Sequence, residues 1–486
     1  MRAHEPSLST SAAGWRPAVG ERVVHRERGP GVVLDLLAGG RARVRFEAQP
    51  ALPRRVPHRE LRPAPVGSTA SATPAEARLP RRTAEQLEAL AILASLRLGL
   101  VPDRGATRYA VGSERLQRTL RQWLGEAPGL RLVEGPYGGG KTHTLHVMKE
   151  GALQQGWAVA QLTFDPGRSR RPVLMWQDVL DSLQLPMPDG PGDVGPLDPF
   201  VALARRLRER APEALTRRTD RDYSPLLSPY GWALGGRELS AADRLLLRAE
   251  LRAEGGASIE QCRRVFHRVG WRGERPPRLV KAWRTLGHVF THLLSTLACW
   301  CERAGFAGLV VFLDEVERRD AVAWHDREWV ANTFKWLSEV TEGRGARSAT
   351  RGGHRRLKEL PPRLRRDHRL LVVAADVTRA AADEAYAHAN DRLRALLPGA
   401  ERLEGLTVPR MTGGNPARLA DRLVDVYLQA HPDLSLAPRR RERLLAAARE
   451  AAEELATSSD EPLARHLVRE VLERLDEALH DQEASR

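Results

Sequence analysis

The sequence predicts an α/β protein: a parallel sheet flanked by helices, with a small antiparallel β module in front and a helical region behind. Three observations carry this. Leu130–Val133, Gly308–Leu313 and Leu370–Ala375 are short apolar runs of the kind that make buried strands, and Gly308–Leu313 is continuous, the pattern of a strand buried on both faces. The stretches around them repeat apolar residues three and four apart, the period of helices. The two ends differ from this middle: residues 17–63 hold short alternating segments, and the chain beyond 406 is rich in Ala, Leu, Glu and Arg at helical spacing.

The most informative stretch is LRLVEGPYGGGKTHTL, Leu130–Leu145. An apolar run leads into Gly135, Pro136, Tyr137, Gly138, Gly139, Gly140, Lys141 and Thr142, which satisfy G-x-x-x-x-G-K-[ST], and His143 begins the helical spacing that follows. Strand, glycine-rich loop and helix in this order form a phosphate-binding loop. The glycines let successive N–H groups turn inward around a phosphate, and the helix adds its positive N-terminal end. Lys141 can reach the β- and γ-phosphates and the Thr142 hydroxyl can hold Mg²⁺. The expected ligand is a nucleoside triphosphate.

Gly308–Leu313 ends in Asp314 and Glu315. Carboxylates at the carboxyl end of a central parallel strand lie beside such a loop. Asp314 is the candidate for the Mg²⁺ shell, and Glu315 for orienting and deprotonating the attacking water. Glu317 reads as a structural partner of a basic residue. The run Leu370–Ala375 ends in Asp376, with Thr378 two residues on. Either can touch the γ-phosphate or the water, or simply end the strand.

Residues 17–63 carry strand-like segments at 21–25 and 31–35, and Arg41–Phe46, whose alternation sets Arg41, Arg43 and Arg45 against Ala42, Val44 and Phe46. Short strands at this spacing favour a small barrel similar to SH3-like or Tudor-like modules, which bind nucleic acid or protein. Residues 64–82 are an Ala/Pro/Ser/Thr-rich linker. Residues 83–405 form the core with a helical insertion, beginning with helices from Thr83 to about Leu98 and from Ser113 to Leu124. Residues 406–486 form a helical lid, in which Asn415 and Pro416 start a helix.

The net charge of +15 and the pI near 10.6 point to a polyanionic partner. Arginine supplies most of that charge, since five of the 77 basic residues are lysine. Residues 343–369 hold ten Lys/Arg against two Asp/Glu among glycines and prolines. This loop can grip a phosphodiester backbone or supply an arginine to a neighbouring subunit; Arg318 and Arg319 are weaker candidates for the second role. Cys262, Cys299 and Cys301 form no disulfide framework, and no stretch approaches the length of a membrane span, so a cytoplasmic location is expected.

The run ILASLRLGLVPDRG, then RLVEGPYGGGKTHTL, GWAVAQLTFD and GLVVFLDEVE, resemble the P-loop ATP-binding proteins of BREX-type phage-defence systems over roughly residues 85–430. The more specific features are L-R-x-G-x-V-P, G-P-Y-G-x-G-K-T-H and the extra glutamate of L-D-E-V-E. That family is similar to AAA+ and archaeal initiator ATPases, which implies a P-loop NTPase fold with a RecA-like core and helical lid, and ATP with Mg²⁺ as ligands. Gly413–Pro416 resembles a lid motif with a nucleotide-sensing arginine after the proline; Ala417 stands there, and Arg418 follows. The resemblance implies antiviral defence beside other proteins of the same system.

The leading expectation is an Mg-dependent ATPase acting in an anti-phage defence complex on or near DNA, with a homo-oligomer possible. The alternatives are a nucleotide-gated scaffold for partner proteins and a DNA-binding regulator targeted by the N-terminal module.

Overall fold

The computed structural model describes residues 21–25, 29–37, 41–46, 54–57, 61–63, 82–136, 138–164, 172–186, 198–217, 220, 222–236, 239–252, 254, 258–272, 287–316, 324–341, 368–377, 405–408, 414–432, 438–458 and 464–484. The chain divides into two compact units, Met1–Arg81 and Arg82–Arg486.

In the first unit, β1 (Arg22–His25), β2 (Gly29–Leu37), β3 (Arg41–Phe46), β4 (Arg54–Pro57) and β5 (Leu61–Pro63) form an antiparallel sheet in the order β4-β3-β2-β1-β5. Val23, Val33, Ala42, Val44, Val56 and Leu61 make its core. Ala42 and Val44 are buried, as their alternation with the arginines requires. The side chains of Arg41, Arg43 and Arg45 lie outside the described residues.

The second unit opens with α1 (Ala84–Arg97), α2 (Ala106–Tyr109) and α3 (Ser113–Gly125). Thr83 starts α1 with a capping box: its hydroxyl accepts from the Gln86 N–H at 3.2 Å, and the Gln86 side chain accepts from the Thr83 N–H at 2.9 Å. Then come β6 (Gly129–Gly135), α4 (Lys141–Gln154) and β7 (Ala158–Thr163). Helices α5 (Pro172–Ser182), α6 (Pro199–Arg210), α7 (Glu213–Thr216), α8 (Ser228–Leu234), α9 (Ala241–Leu251), α10 (Ile259–Arg268) and α11 (Gly287–Arg303) follow. β8 (Leu309–Asp314), α12 (Trp324–Thr341), β9 (Leu370–Val377) and β10 (Gly405–Thr407) complete the core. α13 (Asn415–Ala430), α14 (Pro438–Ser458) and α15 (Ala464–Ala484) close the chain.

The second sheet is parallel throughout, in the order β10-β6-β9-β8-β7. Strand β9 therefore separates the strand that precedes the loop from the strand that carries Asp314. Alternate residues point to opposite faces. Leu132, Ala160, Val311 and Val372 join the core built with the helical insertion, where Trp176, Tyr230 and Trp300 are fully buried. Val133, Val159, Phe312 and Val373 pack instead with Leu120, Trp123, Leu145 and Met148 of α3 and α4. Both faces are covered, which is why β8 and β9 read as unbroken apolar runs up to Asp314 and Asp376. The insertion, whose sequence pointed to no chemistry, supplies one of the two covers.

A third core joins α1 to the lid: Ile92, Leu93 and Leu96 pack with Leu423, Tyr427, Ala448, Leu467 and Leu475. Asp476 ties it, accepting from Arg97 Nη2 at 2.7 Å and Nε at 3.0 Å and from the Tyr427 hydroxyl at 2.8 Å. No helix among the described residues is long and apolar enough to cross a membrane.

Candidate nucleotide site

The loop leaves the carboxyl end of β6 and closes into α4. Gly138 and Gly140 sit at φ 75° and 96°, where a side chain is strained, and Gly140 is the N-cap of α4, accepting from the Thr144 N–H at 2.9 Å. Gly135 is required for another reason. A Cβ there would lie 2.3 Å from Cγ2 of Val408, at the end of β10. Lys141 is buried, and its Nζ donates to the carbonyls of Gly135 at 3.3 Å and Pro136 at 3.2 Å. The ammonium is thus folded back onto its own loop and must leave these carbonyls to meet a phosphate.

Asp314 ends β8 at 3% exposure. Its Oδ1 accepts from the Glu315 N–H at 2.9 Å, and Glu315 has φ 55°, the one non-glycine residue with positive φ among the described residues. Backbone held in that region costs about 1–3 kcal/mol and clusters at functional sites. Glu315 lines the cavity that Gly138, Gly139, Gly140, Lys141, Thr142, His143 and Asp314 also line. Among the described residues, no cluster of three or more His, Cys, Asp or Glu could hold a metal ion. A Mg²⁺ held by Thr142 and Asp314 needs none, because Mg²⁺ takes its remaining ligands from water and substrate phosphates. The residues fit that ion.

The cavity also has an apolar wall. Leu96, Gly99, Leu100 and Val101 line it from the L-R-x-G-x-V-P segment, and Tyr109, Val111 and Leu116 extend the wall. The polar side of α4 holds this segment in place. Nδ1 of His146 bonds the Pro102 carbonyl at 3.0 Å, and its Nε2 meets Nε2 of Gln161 at 2.9 Å. A carbonyl can only accept, so the proton sits on Nδ1 and Nε2 accepts from the amide. Burial, and then the Lys149 charge, push the His146 imidazolium down to about 4, which keeps the ring neutral for this arrangement. Glu150 accepts from the N–H groups of Ala106 at 2.8 Å and Thr107 at 3.1 Å and from the Thr107 hydroxyl at 2.7 Å, capping α2. His143, also pushed down to about 4 by burial and by His146, shares a 3.2 Å hydrogen bond with the Tyr109 hydroxyl. Burial and Glu150 push that phenol upward, so it stays protonated and donates.

Residues 85–171 match the family model of the BREX system ATP-binding protein BrxC/D. The match runs from α1 through β7, so it takes in the apolar wall and the phosphate loop but not Asp314 or the lid. Over this segment the chain is similar to those ATP-binding proteins. No curated protein and no solved structure matches it.

Of the residues singled out in the sequence, Gly138–His143, Asp314 and Glu315 come together in the cavity. Gly135 and Pro136 shape the loop and hold Lys141 without lining the cavity, and Tyr137 lies outside the described residues. Asp376 does not line the cavity. It lies within β9, opposite Glu134 of β6, and shares the face of Val372 and Ala374, away from α4. Arg418 is exposed on the first turn of α13 and does not line the cavity either; Leu419 does. Glu317, Arg318, Arg319, Thr378 and residues 343–367 lie outside the described residues.

The sequence reading missed Arg465. It stands with Ala464 and Val468 at the start of α15 and lines the same cavity, its Cδ 3.8 Å from the place a Gly99 Cβ would take. Nothing local marks it, because it is one arginine among many on an amphipathic helix. The role of L-R-x-G-x-V-P was equally hidden, although its pattern was visible.

Proposed function

We propose that this chain binds ATP with Mg²⁺ and hydrolyses it, as the ATPase of a BREX-type phage-defence assembly working on or near DNA. One observation carries the reading: a single cavity is lined both by the phosphate loop with Asp314–Glu315 and by the apolar L-R-x-G-x-V-P wall. The triphosphate belongs at the loop, where Lys141 exchanges two carbonyls for phosphate oxygens, and the adenine belongs against Leu96, Val101 and Leu116. Asp314 and Thr142 would hold the metal ion, which would supply charge neutralisation for the phosphates. Glu315 orients the attacking water and accepts its proton. The family match over residues 85–171 supports the ATP end of this account. The DNA end rests on the charge of +15 and the basic segment 343–369, with the N-terminal module, read as a small barrel, as a second contact.

The deciding experiment is ATP turnover by the wild type and by Glu315→Gln, each with and without duplex DNA. Turnover by the wild type alone supports the reading. No turnover by the wild type under either condition overturns it.

A second reading, a nucleotide-gated switch for partner proteins, is favoured by the lid reaching the cavity through Leu419, Arg465 and Val468. On that reading Glu315→Gln keeps defence activity in cells.

A further inference from the structure

Helix α3 carries a row of arginines that its own fold does not use. Arg115, Arg118 and Arg121 are exposed and three residues apart, while Leu116, Leu120, Trp123 and Leu124 of the same helix are buried. Among the described residues none of the three forms an ion pair, and the only hydrogen bond in the row is a weak one from Arg121 Nε to the Gln117 carbonyl at 3.4 Å. Four exposed arginines of α14 and α15 do hold acids. Arg441 holds Asp425, Arg449 holds Asp421, Arg469 holds Glu473 and Arg474 holds Glu454.

The acids nearest the row do not cancel it. Glu114 forms no ion pair with these arginines, and Glu126 is committed to Arg131 at 2.8 Å and to Gln122 at 3.1 Å. Arg115 also stands in the first turn of α3, where the helix dipole favours an acid over a base. Arg115 therefore works against the stability of its helix, and none of the three arginines is held by an ion pair among the described residues.

We infer that the Arg115–Arg118–Arg121 face of α3 is a docking surface for the phosphodiester backbone of a nucleic acid. The row spans about 9 Å at a helical rise of about 1.5 Å per residue, against one phosphate per about 3.4 Å on each strand of a duplex. It thus faces two or three successive phosphates. Arginine forks suit phosphate oxygens, and contacts to phosphate carry no sequence information, so a contact made through them is independent of sequence. The inference deepens the DNA part of the proposed function by giving it a site. It also gives that site a mechanical link to ATP. Leu116, beside Arg115, lines the nucleotide cavity, and Leu120 packs so closely on the phosphate-loop helix that a Cβ on Gly151 would lie 2.9 Å from its Cδ2.

The test compares the wild type with the triple variant Arg115→Gln, Arg118→Gln, Arg121→Gln, titrating a short duplex of arbitrary sequence between about 50 and 200 mM salt. Each phosphate contact contributes about 0.9 to the slope of log affinity against log salt, so the variant should bind more weakly with a slope shallower by about 2 to 3. A matched variant, Arg441→Gln with Arg449→Gln, removes arginines that already hold carboxylates and should leave the slope unchanged. ATP affinity, measured on all three proteins, should not move, which reports an intact fold. If the triple variant keeps the wild-type slope, or the matched variant loses as much, the surface is not the site although the protein binds DNA. If the wild type binds no duplex, both the surface and the DNA part of the proposed function fall, while ATP binding stands on its own measurement. Loss of binding to polyglutamate or anionic vesicles, with duplex affinity unchanged, reassigns the face to another partner and overturns the inference.

Discussion

Oδ1 of Asp314 accepts a 2.9 Å hydrogen bond from the N–H of the next residue, Glu315, and this bond closes a turn in which Glu315 takes φ 55°. A strand ending in two carboxylates would normally send them to opposite faces. The left-handed turn brings both to the phosphate loop instead.

The strain at Glu315 separates stability from activity. Glu315→Gly removes the side-chain clash and should be neutral or stabilising by up to about 1 kcal/mol in urea unfolding, while ATP turnover falls by about 100-fold or more. Glu315→Gln should lose as much turnover and still bind ATP with wild-type affinity. Turnover within a few-fold of wild type in either variant would remove Glu315 from the chemistry.

Arg465 and Arg418 make a paired prediction for the lid. Arg465 stands beside Gly99 of the apolar wall, and losing one charge-assisted hydrogen bond to the nucleotide is worth about 1.5–3 kcal/mol, so Arg465→Ala should weaken ATP binding by about 10-fold or more. Arg418→Ala should leave it unchanged. Equilibrium titration with a fluorescent ATP analogue reads both, and the reverse ranking would return the sensing role to the first turn of α13.

Gly135→Ala places a methyl group 2.3 Å from Cγ2 of Val408, so it should destabilise the protein by about 1–3 kcal/mol through overpacking. Adding Val408→Ala removes the clashing atom and should recover part of that loss. Additive effects in a double-mutant cycle of denaturation midpoints would show that the two positions do not meet.

The neutral histidines of α4 predict a pH dependence. His143 and His146 titrate near 4 in the folded chain and near about 6.5 when unfolded. Between those values the unfolded state binds more protons, so stability rises with pH. It is complete above about 6.5 and is lost as the pH falls toward 4. Urea midpoints should therefore drop from pH 7 to pH 5. His146→Gln, which can still donate to the Pro102 carbonyl, should flatten that drop, and an equally steep drop in the variant would exclude His146 as its source.

Much of the site was legible because its signals are local. A phosphate loop needs glycine at fixed offsets from Lys141 and Thr142, and a doubly covered strand must be apolar from Leu309 to Leu313 before it ends in Asp314. Asp376 shows the limit of that reasoning. An acid after an apolar run looks like a residue at the site, yet Asp376 does not line the cavity that Asp314 and Glu315 share. Arg418 shows a second limit, since a motif places an arginine near a helix start but not the direction in which that start faces.

The sequence by itself determined the strand–loop–helix that can hold a triphosphate and the carboxylate pair that can act on it, because both depend on residues close together in the chain. The tertiary structure decided what surrounds them. Leu96–Val101 became the apolar wall only because His146 and Glu150 of α4 pin the segment through Pro102, Ala106 and Thr107. Arg465 reached the cavity because Asp476, three turns further along α15, is held by Arg97 and Tyr427. Contacts across hundreds of residues select one arginine among many, and no local pattern records that choice.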